Sequence, residues 1–243
     1  MKTQQFGTPK YVGDPLNAVR IFNEKEVDEL VVFDIDATRE GREPDYRLIE
    51  SLAAECRMPL CYGGGVTTAS QGQRIVQLGV EKVAVGTALF ENPQLVPELA
   101  TRIGSQSVVA VLDVRRDPAT DAALVWIRNG TKNTLTDATT MAKRLESDGV
   151  GEIVLNSIDR DGTKTGYDVA LVRSVREVTS VPLTALGGAG SLSDAVALIR
   201  EHGIIGVAAG SLFVFKGQYR AVLINYPNPQ EKAALLSRSV LGG

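Results

Sequence analysis

The sequence predicts an α/β fold: a (β/α)8 TIM-type barrel built from two half-barrel repeats, with the first strand missing from the chain. Three observations carry this expectation. Apolar β-branched runs alternate with amphipathic stretches along the 243 residues. The segment Asp28–Phe90 lies over Gly151–Phe213 at a constant offset of 123 residues. Glycine clusters recur at equivalent strand ends in the two segments. Near-continuous apolar strands joined by helices mean a parallel sheet covered on both faces. A duplicated unit with four strands per half closes into eight.

Each element has its own signal. Asp14-Pro15 reads as an N-cap with proline at the first helical position, opening a helix over Asp14–Val27. The strand Leu30–Ile35 follows, then the helix Asp45–Cys56, the strand Pro59–Tyr62, the helix Ser70–Leu78 and the strand Lys82–Val85. Val108–Val114 is the fourth strand, and Ala123–Arg128 with a turn at Asn129-Gly130 reads as an inserted hairpin. The helix Thr136–Asp148, the strand Glu152–Asn156, the helix Asp168–Val178, the strand Val181–Ala185, the helix Ser193–His202 and the strand Ile204–Ala209 complete the series. These are seven core strands. The repeat mate of Val108–Asp113 would fall before Met1, which places the missing strand first. An open doubly wound sheet is the alternative arrangement.

Repeat identities include Glu29/Glu152, Asp36/Asp159, Asp45/Asp168, Pro59/Pro182, Gly64/Gly187, Gly65/Gly188 and Phe90/Phe213. Shared βα punctuation explains some of them but not a gap-free register of this length. With no linker or shift in composition, residues 1–243 read as a single domain with halves at Asp28–Phe90 and Gly151–Phe213.

Composition excludes several classes. With 26 Lys+Arg against 29 Asp+Glu, the net charge of −3 gives no support to a nucleic-acid surface. The longest apolar stretch, Ile204–Phe215, is interrupted by Gly206, Gly210 and Ser211 and is too short to cross a bilayer. The start MKTQQFGTPK has no apolar leader core, and Cys56 and Cys61 lack companions at zinc spacing. The expectation is a reduced, cytoplasmic protein without membrane contact, metal or cofactor.

In parallel barrels, ligands sit at the C-terminal ends of the strands. There the two halves place Gly63-Gly64-Gly65 and Gly187-Gly188-Ala189-Gly190, and the next strands end in Gly86-Thr87-Ala88 and Ala209-Gly210-Ser211. Glycine lets backbone N–H groups approach an anion, so paired loops point to one ligand with two phosphates; tight turns alone would explain each loop singly. Carboxylates collect at the same end: Asp34, Asp36, Asp113, and Asp159 with Asp161 in Asp159-Arg160-Asp161-Gly162. Asp36, Asp45 and Asp168 read as helix caps or loop pins, whereas Asp113, beside a hairpin able to cover the site, is the better general acid or base. The single histidine, His202, falls late in a surface helix. At the opposite end, Glu29, Lys82 and Glu152 each start a strand; they form either solvated tips or an ion-paired ring.

The stretches VGDPLNAVRIFNEKEVDELVVFDIDA, CYGGGVTTA, GVEKVAVGTALFENP, IGSQSVVAVLDVRR, GVGEIVLNSIDRDGTKTGYD and LGGAGS resemble the HisF-type cyclase subunit of imidazole glycerol phosphate synthase over nearly the whole chain. The resemblance implies a (β/α)8 barrel that takes ammonia from a glutaminase subunit docked on its base. Such a barrel closes an imidazole ring on a bisphosphorylated ribonucleotide intermediate. It also implies roles. Asp113 resembles one of the family's two catalytic aspartates; Asp161, also counted among the catalytic residues, and Gly162 resemble a substrate-contacting pair. Gly65, Gly86 and Thr87 resemble one phosphate site, and Gly188, Gly210 and Ser211 the other. Lys2 resembles the lysine of a mobile first loop. Glu29, Lys82 and Glu152 resemble three of four ammonia-gate residues, which favours the ring.

The second catalytic aspartate of the first strand and the gate arginine have no counterpart here, Gly86 replaces an asparagine, and Leu186 replaces a serine. The tail AAGSLFVFKGQYRAVLINYP is similar to a side branch associated with surface-polysaccharide synthesis, where ammonia amidates an acetamido sugar. A sugar-phosphate isomerase on the same barrel is a further alternative.

Overall fold

The computed structural model describes residues 4–217 and 219–240. Among these, parallel strands run in the order β1 (Leu30–Phe33), β2 (Leu60–Gly63), β3 (Lys82–Val85), β4 (Val108–Arg116), β7 (Glu152–Ser157), β8 (Leu183–Leu186) and β9 (Gly206–Val207). The antiparallel strands β5 (Ala123–Ile127) and β6 (Lys132–Asp137) extend from β4, and β10 (Phe215–Lys216) pairs with β11 (Ala221–Val222). The seven parallel strands expected from the sequence are all present. β1 and β9 are the ends of the ladder, with no described strand joining them.

The sheet is curled. Strands lie about 4.8 Å apart, so on a flat sheet β1 and β7, four places apart, would be separated by roughly 19 Å. Yet the Lys82 ammonium on β3 lies 3.0 Å from Glu29, beside β1, and 2.9 Å from Glu152 on β7. Alternation along each strand separates two apolar surfaces. Val108, Ala110, Leu112 and Val114 face outward into a core shared with Leu99, Met141 and Leu145 of the covering helices. Cys61, Ala84, Val109 and Val154, with Phe33, Val111 and Leu186, fill the concave side. This is the expected α/β arrangement of a barrel-type sheet, with helices outside and a lumen inside.

Local chemistry sets the helix starts. The Asp14 carboxylate accepts from the N–H groups of Leu16 and Asn17, and Pro15 begins the helix Pro15–Glu24. Asp45 and Asp168, repeat mates, cap Tyr46–Glu55 and Val169–Arg176 through the N–H groups of Leu48 and Leu171. Asp36 precedes the helix Ala37–Glu40 without a side-chain cap bond and pairs instead with Arg39 at 2.8 Å. Asp34 takes the capping role, accepting from the N–H groups of Asp36 and Ala37 and ending β1 two residues early.

Other differences have physical causes. The helix Leu95–Ile103, not foreseen, carries Pro97 in its first turn, where no intrahelical N–H is needed. The helix Pro229–Val240, also unforeseen, packs against Leu192–His202, the helix leading to β9. Lys232 of this last helix and Tyr226 just before it both bond to Asp28, the residue two before β1, at 2.7 Å. The chain's far segment thereby spans from one sheet edge to the other. The last parallel strand shrinks to Gly206–Val207, and Ile204 is almost fully exposed. Ladder pairs Leu30↔Leu60 and Ile153↔Leu183 keep the offset of 123, but Cys61↔Lys82 is matched by Thr184↔Gly206, one residue further on.

Candidate active site

The strand C-termini form a mouth built on close backbone contact. Gly64 has a φ of +130°, and a side-chain carbon there would lie 2.5 Å from the Asp34 carbonyl oxygen. Its mate Gly187, at +91°, would meet the Ser157 carbonyl oxygen at 2.7 Å. Only glycine fits either place. The turn requirement accounts for both residues; the binding argument rests on what surrounds them.

Around the second loop, Asp161, Gly162, Gly188, Gly210 and Ser211 line one cavity together with Leu186 and Gly187. Five residues singled out from the sequence thus meet in one place, drawn from the loops after β7, β8 and β9. The first loop is arranged differently. Gly65 packs on the backbone of Arg42 and Glu43, and Gly86 follows β3 directly, near the Val111 carbonyl oxygen. The Thr87 hydroxyl accepts from the Arg128 N–H at 3.0 Å. These three stand at strand ends of the mouth but not in that cavity. Lys2 lies outside the described residues.

Asp113 sits on the lumen face of β4, level with Asn156 on β7 and Trp126 on β5. The Asn156 amide donates to Asp113 Oδ1 at 2.8 Å. Beyond Asp113 the same strand continues into the β5–β6 hairpin. Its turn, Arg128-Asn129-Gly130, has three successive residues at positive φ. The hairpin tip reaches over the mouth: Asn129 Nδ2 donates to the Ile35 carbonyl, Arg128 contacts Thr87, and Gly130 packs beside Phe6 and Ile158. The Arg115 guanidinium stacks 4.7 Å above the Trp126 ring, fixing the hairpin's root. The Gln5 N–H donates to the Asp161 carbonyl at 2.8 Å, so the N-terminal segment joins the same end.

Two mouth residues escaped the sequence reading. Asn156 opens the NSIDRDG run already singled out, but its orientation toward Asp113 depends on the ladder between β4 and β7. Arg220 donates to the Gly162 carbonyl at 3.4 Å from within the tail that departs from the cyclase pattern.

At the opposite end the two readings of Glu29, Lys82 and Glu152 are separated by geometry. Lys82 is bonded to both carboxylates, and Thr184 donates to Glu152 Oε1 at 2.7 Å. Burial pulls the Lys82 ammonium toward the neutral form, but hydrogen bonds to Glu152 and Glu29 outweigh it and push its pKa up to about 12. Just above, the Cys61 thiol is pushed well above the ordinary range by burial and then by the two glutamates. It faces the lumen as a neutral group. Among the described residues no cluster of metal-ligating side chains exists, and no helix is long and apolar enough to cross a membrane.

Comparison with known proteins gives one family. The family model described as "Histidine biosynthesis protein" matches residues 1–220. A protein of Leptospira borgpetersenii provisionally named imidazole glycerol phosphate synthase subunit HisF is 54% identical over 235 residues, covering 97% of this chain and 92% of that protein. A Vibrio vulnificus protein provisionally named as subunit hisF3 is 53% identical, with 97% and 91% covered. One from Pseudomonas aeruginosa, provisionally named as subunit hisF2, is 50% identical, with 94% and 90% covered.

Proposed function

The chain belongs to the histidine biosynthesis protein family, with HisF-type imidazole glycerol phosphate synthase subunits as relatives, and from that premise we propose that it is the ammonia-using cyclase/lyase subunit of a cytoplasmic glutamine amidotransferase. In this reading a glutaminase subunit docks at the base of the barrel. Ammonia enters beside Lys82, moves along the apolar lumen past Cys61, Ala84 and Val154, and meets a bisphosphorylated aminoimidazole ribonucleotide at the mouth. The observation that carries the reading is the placement of two charged constellations at opposite ends of one apolar lumen. Asp113 with the Asp161–Ser211 cavity lies at the C-terminal end, and the Glu29–Lys82–Glu152 set at the N-terminal end.

The division of labour follows from chemistry. Backbone N–H groups around Gly188, Gly210 and Ser211 receive one phosphate, and those near Gly65, Gly86 and Thr87 the other. Asp113, on a rigid strand, takes or delivers the proton as the ring closes, and Asp161 does so from the facing loop. Leu186 supports a second reading. It lines the cavity where HisF-type cyclases carry a hydroxyl, which favours a relative whose ammonia amidates another acceptor, such as an acetamido sugar.

The test is turnover by the purified protein with ammonium chloride and the bisphosphorylated aminoimidazole carboxamide ribonucleotide. Release of the aminoimidazole carboxamide ribonucleotide, read chromatographically, is the expected result. Inertness with that substrate, together with amidation of an acetamido sugar when glutaminase is present, overturns the first reading in favour of the second.

A further inference from the structure

Asn156 has a role that neither the turn geometry nor the phosphate cradle accounts for. It is 7% exposed, and it stands level with Asp113 on one side and Leu186 on the other. Its Nδ2 is committed to Asp113 Oδ1 at 2.8 Å, while its Oδ1 is enclosed and has no hydrogen-bond partner. Turning the amide over does not relieve this, because it would set a carbonyl oxygen against the carboxylate. Nearly all enclosed polar atoms of folded proteins are paired, and an orphan at a strand end calls for an occupant. Oδ1 lies 3.1 Å from where a side-chain carbon on Gly187 would begin, and Gly187 lines the cavity shared by Asp161, Gly188 and Ser211. A fully ionised phosphate cannot fill this place, since its oxygens only accept. The missing partner is a donor.

We propose that Asn156 is a two-sided positioning residue: its amide N–H groups hold the Asp113 carboxylate in one orientation, and its unpaired carbonyl oxygen accepts a hydrogen bond from an N–H of the bound ligand, an amide or amine nitrogen lying between the phosphates. This rests on the proposed proton-handling role of Asp113. It adds the requirement that the middle of the ligand carry a nitrogen donor.

The test uses the full chain labelled with carbon-13 at aspartate carboxyls, with the Asp113 signal assigned by its loss in Asp113→Asn. In Asn156→Leu, a near match in volume, the Asp113 signal moves while the other aspartate signals stay. With ammonium chloride and the bisphosphorylated ribonucleotide, kcat falls roughly 100-fold and KM rises several-fold. Competition by inorganic phosphate stays within about twofold, because no phosphate contact is lost. Should the leucine variant fail to fold, Asn156→Ser carries the same signatures without overfilling the site. An unmoved Asp113 signal overturns the positioning, and an unchanged KM overturns the ligand contact. A wild-type protein inert with ammonium ends the cyclase reading alone, because the Asp113 signal still reports whether Asn156 holds it.

Discussion

Asp113 and Lys82 mark the two ends of the lumen, and each makes a different demand on a substitution. Asp113→Asn keeps the shape and the place on β4 but removes the group able to carry a proton. Turnover should fall by about 100-fold or more, with ligand affinity within a few-fold by calorimetry; an equal loss of affinity would make Asp113 a binding residue. Lys82 holds two carboxylates that would otherwise repel, one of them beside Thr184. Lys82→Ala should cut glutamine-driven turnover in the assembled complex about tenfold, while phosphate binding at the mouth is unchanged. Glutamine-driven and ammonium-driven rates falling together would count against an entry role. Little of this was legible residue by residue. Spacing brought Glu29, Lys82 and Glu152 to strand starts, but solvated tips and a ring differ only in sheet curvature, which spacing does not encode. Asn156 was hidden for a similar reason: an amide is read as a ligand contact only when its neighbour across the ladder is known.

Elements were more legible, because most of the parallel strands are apolar runs that only a sheet covered on both faces accommodates. The exceptions are instructive. Ile204–Ala209 is among the most apolar of them, yet only Gly206–Val207 pairs, with Gly206 so close to its ladder partner Thr184 that any side chain there would collide with the hydroxyl. Pro97 masked a helix that tolerates proline in its first turn. The Asp28 tie yields a prediction at this scale. Burial raises the Asp28 pKa, but hydrogen bonds from Lys232 and Tyr226 outweigh it and hold the pKa below its ordinary 3.8. A carboxylate with a depressed folded-state pKa stabilises above its unfolded value and loses that contribution as pH falls through the folded one. The advantage of the wild type over Asp28→Asn should therefore be constant from pH 7 to about pH 4 and shrink below that. It should be no more than about 1 kcal/mol, because Asp28 is 67% exposed. Urea midpoints measured across this range check it, and a gap that persists undiminished to pH 2 would contradict it.

At the scale of the molecule, the (β/α) architecture and the family were both readable from sequence, the first from alternation and the second from runs such as NSIDRDGTKTGYD. The tie between the two sheet edges was not. It depends on residues that no local pattern connects. The helix Pro229–Val240 grips the helix before β9 while its Lys232 and the preceding Tyr226 fasten onto Asp28, partners separated by 204 and 198 positions in the chain. Contacts of such span must wait for the loop between them to be ordered, and they slow folding in proportion. On the ribosome, the tie onto Asp28 therefore cannot form until residue 232 has emerged, and the interval before the clasp shuts is when a nascent chain most needs shelter by chaperones.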